Sequence, residues 1–227
     1  MTETGNKDLK TEAIVLRRTN YGETDRVLTI LTPEGKKSVL AKGVRKERSK
    51  LAGGIEMFCR SEVVLHQGRG ELLILISAKM KEFYKNILAD FEVLEIASQM
   101  LKKISKAAEG ADNSEHYQII KACLMALDKK VDIDTIISWF YFNVARTSGE
   151  QVNLYYDADG EKLAEDKRYD WDAQEKVLRP AEQGKIGAAE IKMMRLMLSA
   201  GLELVLRVKG AEGMIPEILW VAKTLSV

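Results

Sequence analysis

Cysteine, histidine and proline are scarce: the 227 residues hold two, two and three of them. Cys59 and Cys123 supply neither a disulfide framework nor the four thiolates of a structural zinc site, and are expected to pack as small apolar residues. His66 and His116 stand in no metal-ligand or nucleophile pattern. With 16 glycines and no low-complexity tract, the composition excludes a disordered or fibrous chain. Apolar runs such as Leu72-Leu73-Ile74-Leu75-Ile76 fall far short of the ~20 residues a membrane span needs. The first eight residues are polar and lack the apolar core of a secretory signal, so a cytoplasmic location is expected. No Gly-x-x-x-x-Gly-Lys-Ser/Thr loop occurs, which excludes nucleotide hydrolysis by that route. Gly68-Arg69-Gly70 lacks the third glycine of a dinucleotide loop and reads as a turn between strands. Asp157-Ala158-Asp159-Gly160 is half of a calcium loop without its downstream glutamate.

Charge of one sign is also missing from the total, with 35 Lys+Arg against 34 Asp+Glu. The balance conceals a division. Residues 1–81 hold 16 basic and 10 acidic residues, a net of +6, and residues 82–227 hold 19 and 24, a net of −5. Residues 36–60 alone carry 8 basic side chains and 2 acidic ones. Such asymmetry points to a polyanion-binding module joined to a second body, the alternative being a solvated basic loop.

The hydrophobic period changes at nearly the same place. Ala13-Ile14-Val15-Leu16, Val27-Leu28-Thr29-Ile30-Leu31, Ser38-Val39-Leu40-Ala41, residues 58–65 and residues 72–76 are short β-branched-rich segments. Thr32-Pro33-Glu34-Gly35, Gly53-Gly54 and the 67–70 stretch separate them with turn chemistry. Five short strands in so few residues suit a closed barrel of the oligonucleotide-binding (OB) type, because closure removes the edges. Beyond Lys81 the period is helical. Leu88, Phe91, Leu94, Leu101 and Ile104 are expected on one helix ending near Gly110. Residues 114–129 form another, capped by Asn113 or Ser114, with Ile120, Leu124 and Leu127 inward. A third, 135–147, is capped by Asp132 or Asp134, and 188–200 and 214–225 are two more. Between 150 and 180 the signal lapses into turns and a hairpin. The predicted fold class is therefore α+β: a five-stranded OB barrel over 1–81, then a mainly helical domain over 82–227 with an irregular insertion at 150–180.

One string of residues carries a resemblance. It comprises Ile14-Val15-Leu16-Arg17, Tyr21-Gly22-Glu23-x-Asp25-Arg26, Thr32, Gly35-Lys36 and Ala41-Lys42-Gly43-Val44-Arg45-Lys46-x-x-Ser49-Lys50-Leu51. With Gly54, Phe58 and Gly70-Glu71-Leu72 at its end, it closely resembles the N-terminal domain of the RecO family of bacterial recombinational repair proteins. The helical half is similar in layout rather than in motif. The resemblance implies an OB barrel, binding to single- and double-stranded DNA, strand annealing, and work with RecR and single-strand-binding protein in loading RecA, in a nucleoid-associated cytoplasmic setting. It also exposes a departure. Many members carry a zinc module opening with Cys-x-x-Cys-Gly, whereas here the matching segment has Tyr156 and Asp159 at the thiolate positions. Zinc needs about four good ligands, so the 150–180 region is expected to be a metal-free remnant. Tyr155, Tyr156, Tyr169 and Trp171 are expected to supply a hydrophobic mini-core there.

The candidate DNA contacts are Arg17, Arg18, Arg26, Lys42, Arg45, Lys46, Arg48 and Lys50, with the 42–50 stretch the densest cluster. Between residues 1 and 81 only Tyr21 and Phe58 are aromatic, so affinity is expected to come from phosphate neutralisation rather than from stacking platforms. Tyr21, Gly22 and Glu23 read equally as a structural turn or a site. Lys102, Lys103, Lys106, Lys121, Lys129 and Lys130 are candidates to border a groove for an acidic peptide tail. No catalytic constellation, cofactor site or metal site is visible, and the chain reads as a binding protein rather than an enzyme. The alternatives are an RNA- or ribosome-associated barrel protein and, less favoured, a metal-dependent nucleic-acid enzyme using carboxylates such as Asp157 and Asp159.

Overall fold

Alternation of apolar and polar residues over residues 13–79 builds five strands: β1 (Asp8–Tyr21), β2 (Asp25–Thr32), β3 (Gly35–Ala41), β4 (Cys59–Gln67) and β5 (Leu73–Phe83). In this computed structural model, which describes residues 8–68, 70, 72–110, 114–150 and 152–225, they close into a barrel in the order β1-β2-β3-β5-β4. Arg69 of the expected turn, Glu71 of the motif and Asn113, one of the two expected caps, lie outside the described residues. Neighbouring strands are antiparallel except β3 and β5, whose parallel pairing closes the barrel. This is the expected OB fold. Its interior is filled by Ala13, Val15, Leu28, Ile30, Val39, Ala41, Val63, Leu65 and Leu75, one residue in two along each strand. Thr32 and Gly35 pair across the β2–β3 hairpin around Pro33-Glu34, and the Thr32 hydroxyl both donates to the Gly35 carbonyl (2.9 Å) and accepts from Glu34 N–H (3.2 Å).

The strands run well beyond the apolar segments that announce them. A β-bulge lies between Val15 and Arg17 in the pairing of β1 with β2. Val15 and Ile30 pair inside the barrel, the extra residue Leu16 is spent, and Arg17 then pairs with Thr29 on the outer face. From there Arg17, Thr19 and Tyr21 alternate outward. A short 3₁₀ turn, Ala52–Gly54, plugs the barrel with Ile55. A Cβ at Gly54 would lie 2.5 Å from the Ala78 carbonyl oxygen, so only glycine permits this approach.

Three helices complete the same compact unit, Met1–Asp128: α1 (Lys85–Leu88), α2 (Phe91–Ala107) and α3 (Glu115–Asp128). The single helix expected from Leu88 to Ile104 is divided instead. Asp90 caps α2 by accepting from Val93 N–H, which leaves Leu88 and Phe91 48% and 81% exposed, while Leu101 and Ile104 are buried. The α2 helix packs on β1 and α3 on β2, covering the outward side chains Ile14 and Leu31. A polar cluster ties α3 to the barrel wall. Glu12 accepts from the Tyr117 hydroxyl (2.8 Å), pairs with Arg60, and stands 4.0 Å from Lys121. Arg60 also reaches Glu82 at 3.4 Å, and Glu82 accepts from the Tyr84 hydroxyl at 3.2 Å. Burial alone would raise the Glu12 pKa, but the Tyr117 hydrogen bond and the Arg60 and Lys121 charges hold it below its ordinary value. His116 is buried with neither ring nitrogen hydrogen-bonded among the described residues, and burial lowers its pKa, which keeps the ring neutral.

The second unit, Lys129–Val227, is built on α4 (Ile133–Thr147), capped by Asp132, with the hairpin β6 (Tyr169–Asp172) and β7 (Val177–Pro180) and helices α5 (Ala188–Ser199), α6 (Leu202–Val205) and α7 (Ile215–Thr224). Trp139, Phe140 and Phe142 of the aromatic run are buried. The Trp139 indole donates to Ala200 O (2.9 Å), and the Asn143 amide donates to Trp139 O and Met197 O (both 2.9 Å), which fasten α4 to the end of α5. The hairpin occupies the 150–180 stretch where the helical signal lapses. Of the aromatics assigned to a mini-core there, Tyr169 and Trp171 are buried, but Tyr155 and Tyr156 are exposed. The turn is organised differently: the buried Asp157 carboxylate accepts from Asp159 N–H (3.0 Å) and Glu161 N–H (2.9 Å). Both backbone donors are thereby satisfied by a side chain. Tyr155 stacks instead under the Arg195 guanidinium, 4.6 Å from the ring centre.

Candidate nucleic-acid interface

Two pieces of the sequence motif meet at one end of the barrel. The tip between β1 and β2 is the Gly22-Glu23-Thr24 loop, and the connection following β3 begins at Lys42. Gly43 adopts φ +63°, a conformation that side chains resist, and its N–H donates to Asp25 Oδ1 at 2.7 Å. Thr24 donates to the same oxygen at 2.9 Å. The Gly43 amide, the Thr24 hydroxyl and the Lys42 and Lys46 charges hold the Asp25 carboxyl below its usual range. Arg45 completes the junction: its backbone N–H donates to Thr24 O (2.9 Å) and its guanidinium to Gly22 O (3.0 Å). Val44, between these polar contacts, is buried in the barrel core. Farther along, Lys46 N–H donates to Gly43 O (3.2 Å) and Ser49 N–H to Lys46 O (3.0 Å), so successive turns shape the stretch.

The loop is therefore braced, not a solvated strand of charges. On it Lys42, Arg45, Lys46, Arg48 and Lys50 are all exposed. Arg17 is exposed on the outer face of β1. Among the described residues the side chains of Arg17, Lys42, Lys46, Arg48 and Lys50 make no ion pair or hydrogen bond, Lys42 and Lys46 only feeling the Asp25 charge nearby, which leaves them available to a ligand. The other three candidates are engaged: Arg18 with Glu56 at 2.7 Å, Arg26 with the Asn20 side-chain oxygen at 3.2 Å, and Arg45 with the Gly22 carbonyl at 3.0 Å. The structure thus gathers five of the eight residues on one loop and shows a sixth, Arg17, uncovered on the adjacent strand. Asp25 is the organising residue that charge counting passes over. Its signal is a single carboxylate inside the Tyr-Gly-Glu-x-Asp-Arg string.

The lysines expected to border a peptide groove lie on two helices and in the segment that follows them. Lys102, Lys103 and Lys106 lie on α2, Lys121 is tied to Glu12 and to the Tyr117 ring on α3, and Lys129 and Lys130 follow that helix. The described residues include no group of three or more His, Cys, Asp or Glu side chains placed to hold a metal ion. They include no helix long and apolar enough to cross a membrane.

Comparison with known proteins places this geometry. Residues 6–84 match the family described as "Recombination protein O N terminal". Over 147 residues the chain is 33% identical to "DNA repair protein RecO" of Roseiflexus sp. (strain RS-1), which covers 64% of this chain and 52% of that protein. The protein of the same name from Alkaliphilus metalliredigens (strain QYMF) is 33% identical over 149 residues, 64% of this chain and 60% of the relative. That from Acetivibrio thermocellus is 39% identical over 94 residues, 41% and 37% of the two chains. The chain spans between about half and three fifths of the length of the first two relatives. The family match spans the closed barrel and the Asp25–Gly43 junction: residues 6–84 are similar to the N-terminal domain of RecO proteins, and the chain as a whole is similar to part of the RecO repair proteins named above.

Proposed function

We propose that the chain is a DNA-binding mediator of recombinational repair that holds single- and double-stranded DNA by their phosphates. The observation that carries this reading is the braced loop of exposed cations, Lys42, Arg45, Lys46, Arg48 and Lys50, at the end of an OB barrel. Phosphate neutralisation gives affinity without sequence preference, because every nucleotide presents the same phosphate. Holding strands by their backbones leaves most base edges free to find complements, which suits strand annealing. Work with RecR and single-strand-binding protein toward RecA loading is what the resemblance to RecO proteins suggests, and it belongs to the same proposal. The chain acts by binding, with no catalytic step, cofactor or metal assigned to it.

The test is a competition. A labelled single-stranded DNA oligomer is displaced by unlabelled DNA of unrelated sequence, by duplex and by RNA, and annealing of complementary strands coated with single-strand-binding protein is followed with and without RecR. We expect similar displacement by all DNA sequences, weaker displacement by RNA, and faster annealing. Preferential displacement by RNA would contradict the repair assignment in favour of an RNA-associated barrel.

A further inference from the structure

The bulge at Leu16 has the effect of turning the far half of β1 outward. Arg17, Thr19 and Tyr21 share the outer face with Val27 and Thr29 of β2 and with Ser38 and Leu40 of β3, which lie opposite them in register. The helices that cover Ile14 and Leu31 do not cover this half: Arg17, Thr19, Tyr21 and Ser38 are exposed, and Val27, Thr29 and Leu40 are half-buried. Tyr21 stands at its end, 61% exposed, as the last residue of the strand. Phe58, the other aromatic of the first 81 residues, is buried. Tyr21 is also surrounded by the basic loop through the backbone. Its neighbour Gly22 accepts the Arg45 guanidinium, and its cross-strand partner Asp25 holds Gly43 between Lys42 and Lys46.

The Tyr21 ring is mostly exposed beside the basic loop, with apolar faces open to a planar ligand. The tip that carries it is fixed by three hydrogen bonds to the basic loop, from Gly43 N–H, Arg45 N–H and the Arg45 guanidinium, so little backbone freedom is lost when a ligand binds. Arg17 lies four residues back on the same face, roughly 13 Å away at the rise of a strand. We propose that Tyr21 is a base-stacking residue that distinguishes single-stranded from double-stranded DNA at this interface, a reading that rests on the function proposed above. The cations bind the phosphates of either form. The Tyr21 ring packs against the face of an unpaired base, a contact denied to duplex because both faces of each internal base are already stacked. One such ring pins one nucleotide and leaves its neighbours free to pair. The hydroxyl plays no part, so a phenyl ring serves equally well.

The experiment uses the whole chain, an oligothymidylate of 20 nucleotides and a duplex of the same length. Tyr21→Ala is expected to weaken oligothymidylate binding about tenfold, in line with the loss of one base–aromatic stack, and duplex binding less than about twofold. Tyr21→Phe retains wild-type affinity for both. In Tyr21→Trp, oligothymidylate quenches fluorescence beyond the change seen in the unaltered chain, and duplex does not. The slope of affinity against salt is the same in all four proteins, because no phosphate contact is lost. Equal weakening of both probes by Tyr21→Ala, or no weakening of either, overturns the stacking role while leaving phosphate binding intact. Failure of the unaltered chain to bind either probe overturns the nucleic-acid reading and this inference with it.

Discussion

Asp25 is an acidic residue within a basic surface, and charge alone says that removing it should strengthen binding to a polyanion. Its hydrogen bonds say the opposite. The Asp25→Ala change leaves the Gly43 amide, held at positive φ, without its acceptor, and removes one of the three hydrogen bonds that tie the 42–50 loop to the β1–β2 tip. We expect oligonucleotide affinity to fall roughly threefold to tenfold at constant salt, the loss of one positioning hydrogen bond, with Asp25→Asn intermediate because its carbonyl still accepts. Fluorescence polarisation reads this directly, and tighter binding by Asp25→Ala would show that net charge, not loop placement, governs the site. At this scale the sequence displayed the participants but not their bond. Tyr21-Gly22-Glu23-x-Asp25-Arg26 and Ala41-Lys42-Gly43 stand out as strings, yet a contact between residues 18 apart leaves no mark on local periodicity. The same is true of Arg18, which looks identical to Arg17 in sequence and is distinguished from it by the alternation of the strand and by Glu56.

Elements with one apolar face were legible and those without were not. The interior halves of the five strands alternate as a barrel requires, and α3, α4, α5 and α7 fall within one or two residues of their expected spans. The outer half of β1 is polar on both faces and gave no strand signal, although it carries Arg17 and Tyr21. Leu88 and Phe91 continued an apolar spacing that a single Asp90 cap interrupts. The attachment of α3 to the barrel rests partly on Glu12, invisible to any pattern because its partners come from β4 and α3. Its depressed pKa means that the stabilisation it confers is present above the usual glutamate value of 4.5 and is lost as pH falls through the lower folded-state value. Glu12→Gln should therefore destabilise the barrel unit at neutral pH by about 1 kcal/mol, a figure reduced for solvent screening at a partly exposed side chain. The gap from wild type in urea unfolding should close as the pH is lowered through the carboxylate's titration, and a gap independent of pH would remove charge from the explanation.

Over the whole chain, a total charge of +1 concealed a basic barrel region and an acidic remainder. The sequence made that division legible because charge, unlike a hydrogen bond, can be counted. What counting could not supply was which cations are free. Arg18, Arg26 and Arg45 are each engaged with the protein, whereas Lys46, Arg48 and Lys50 are exposed and unpartnered among the described residues, on a loop anchored by Val44 and Asp25. The central claim is that these side chains neutralise phosphates. It is tested most directly by the dependence of single-strand affinity on salt, from roughly 50 to 200 mM, in the wild-type chain and in the Lys46→Gln, Arg48→Gln, Lys50→Gln triple variant. The account predicts a steep linear loss of log affinity against log salt in the wild type. The variant should show a slope shallower by about 2, at about 0.7 for each single-strand phosphate contact removed. An unchanged slope in the variant, or a flat response in the wild type, would contradict it.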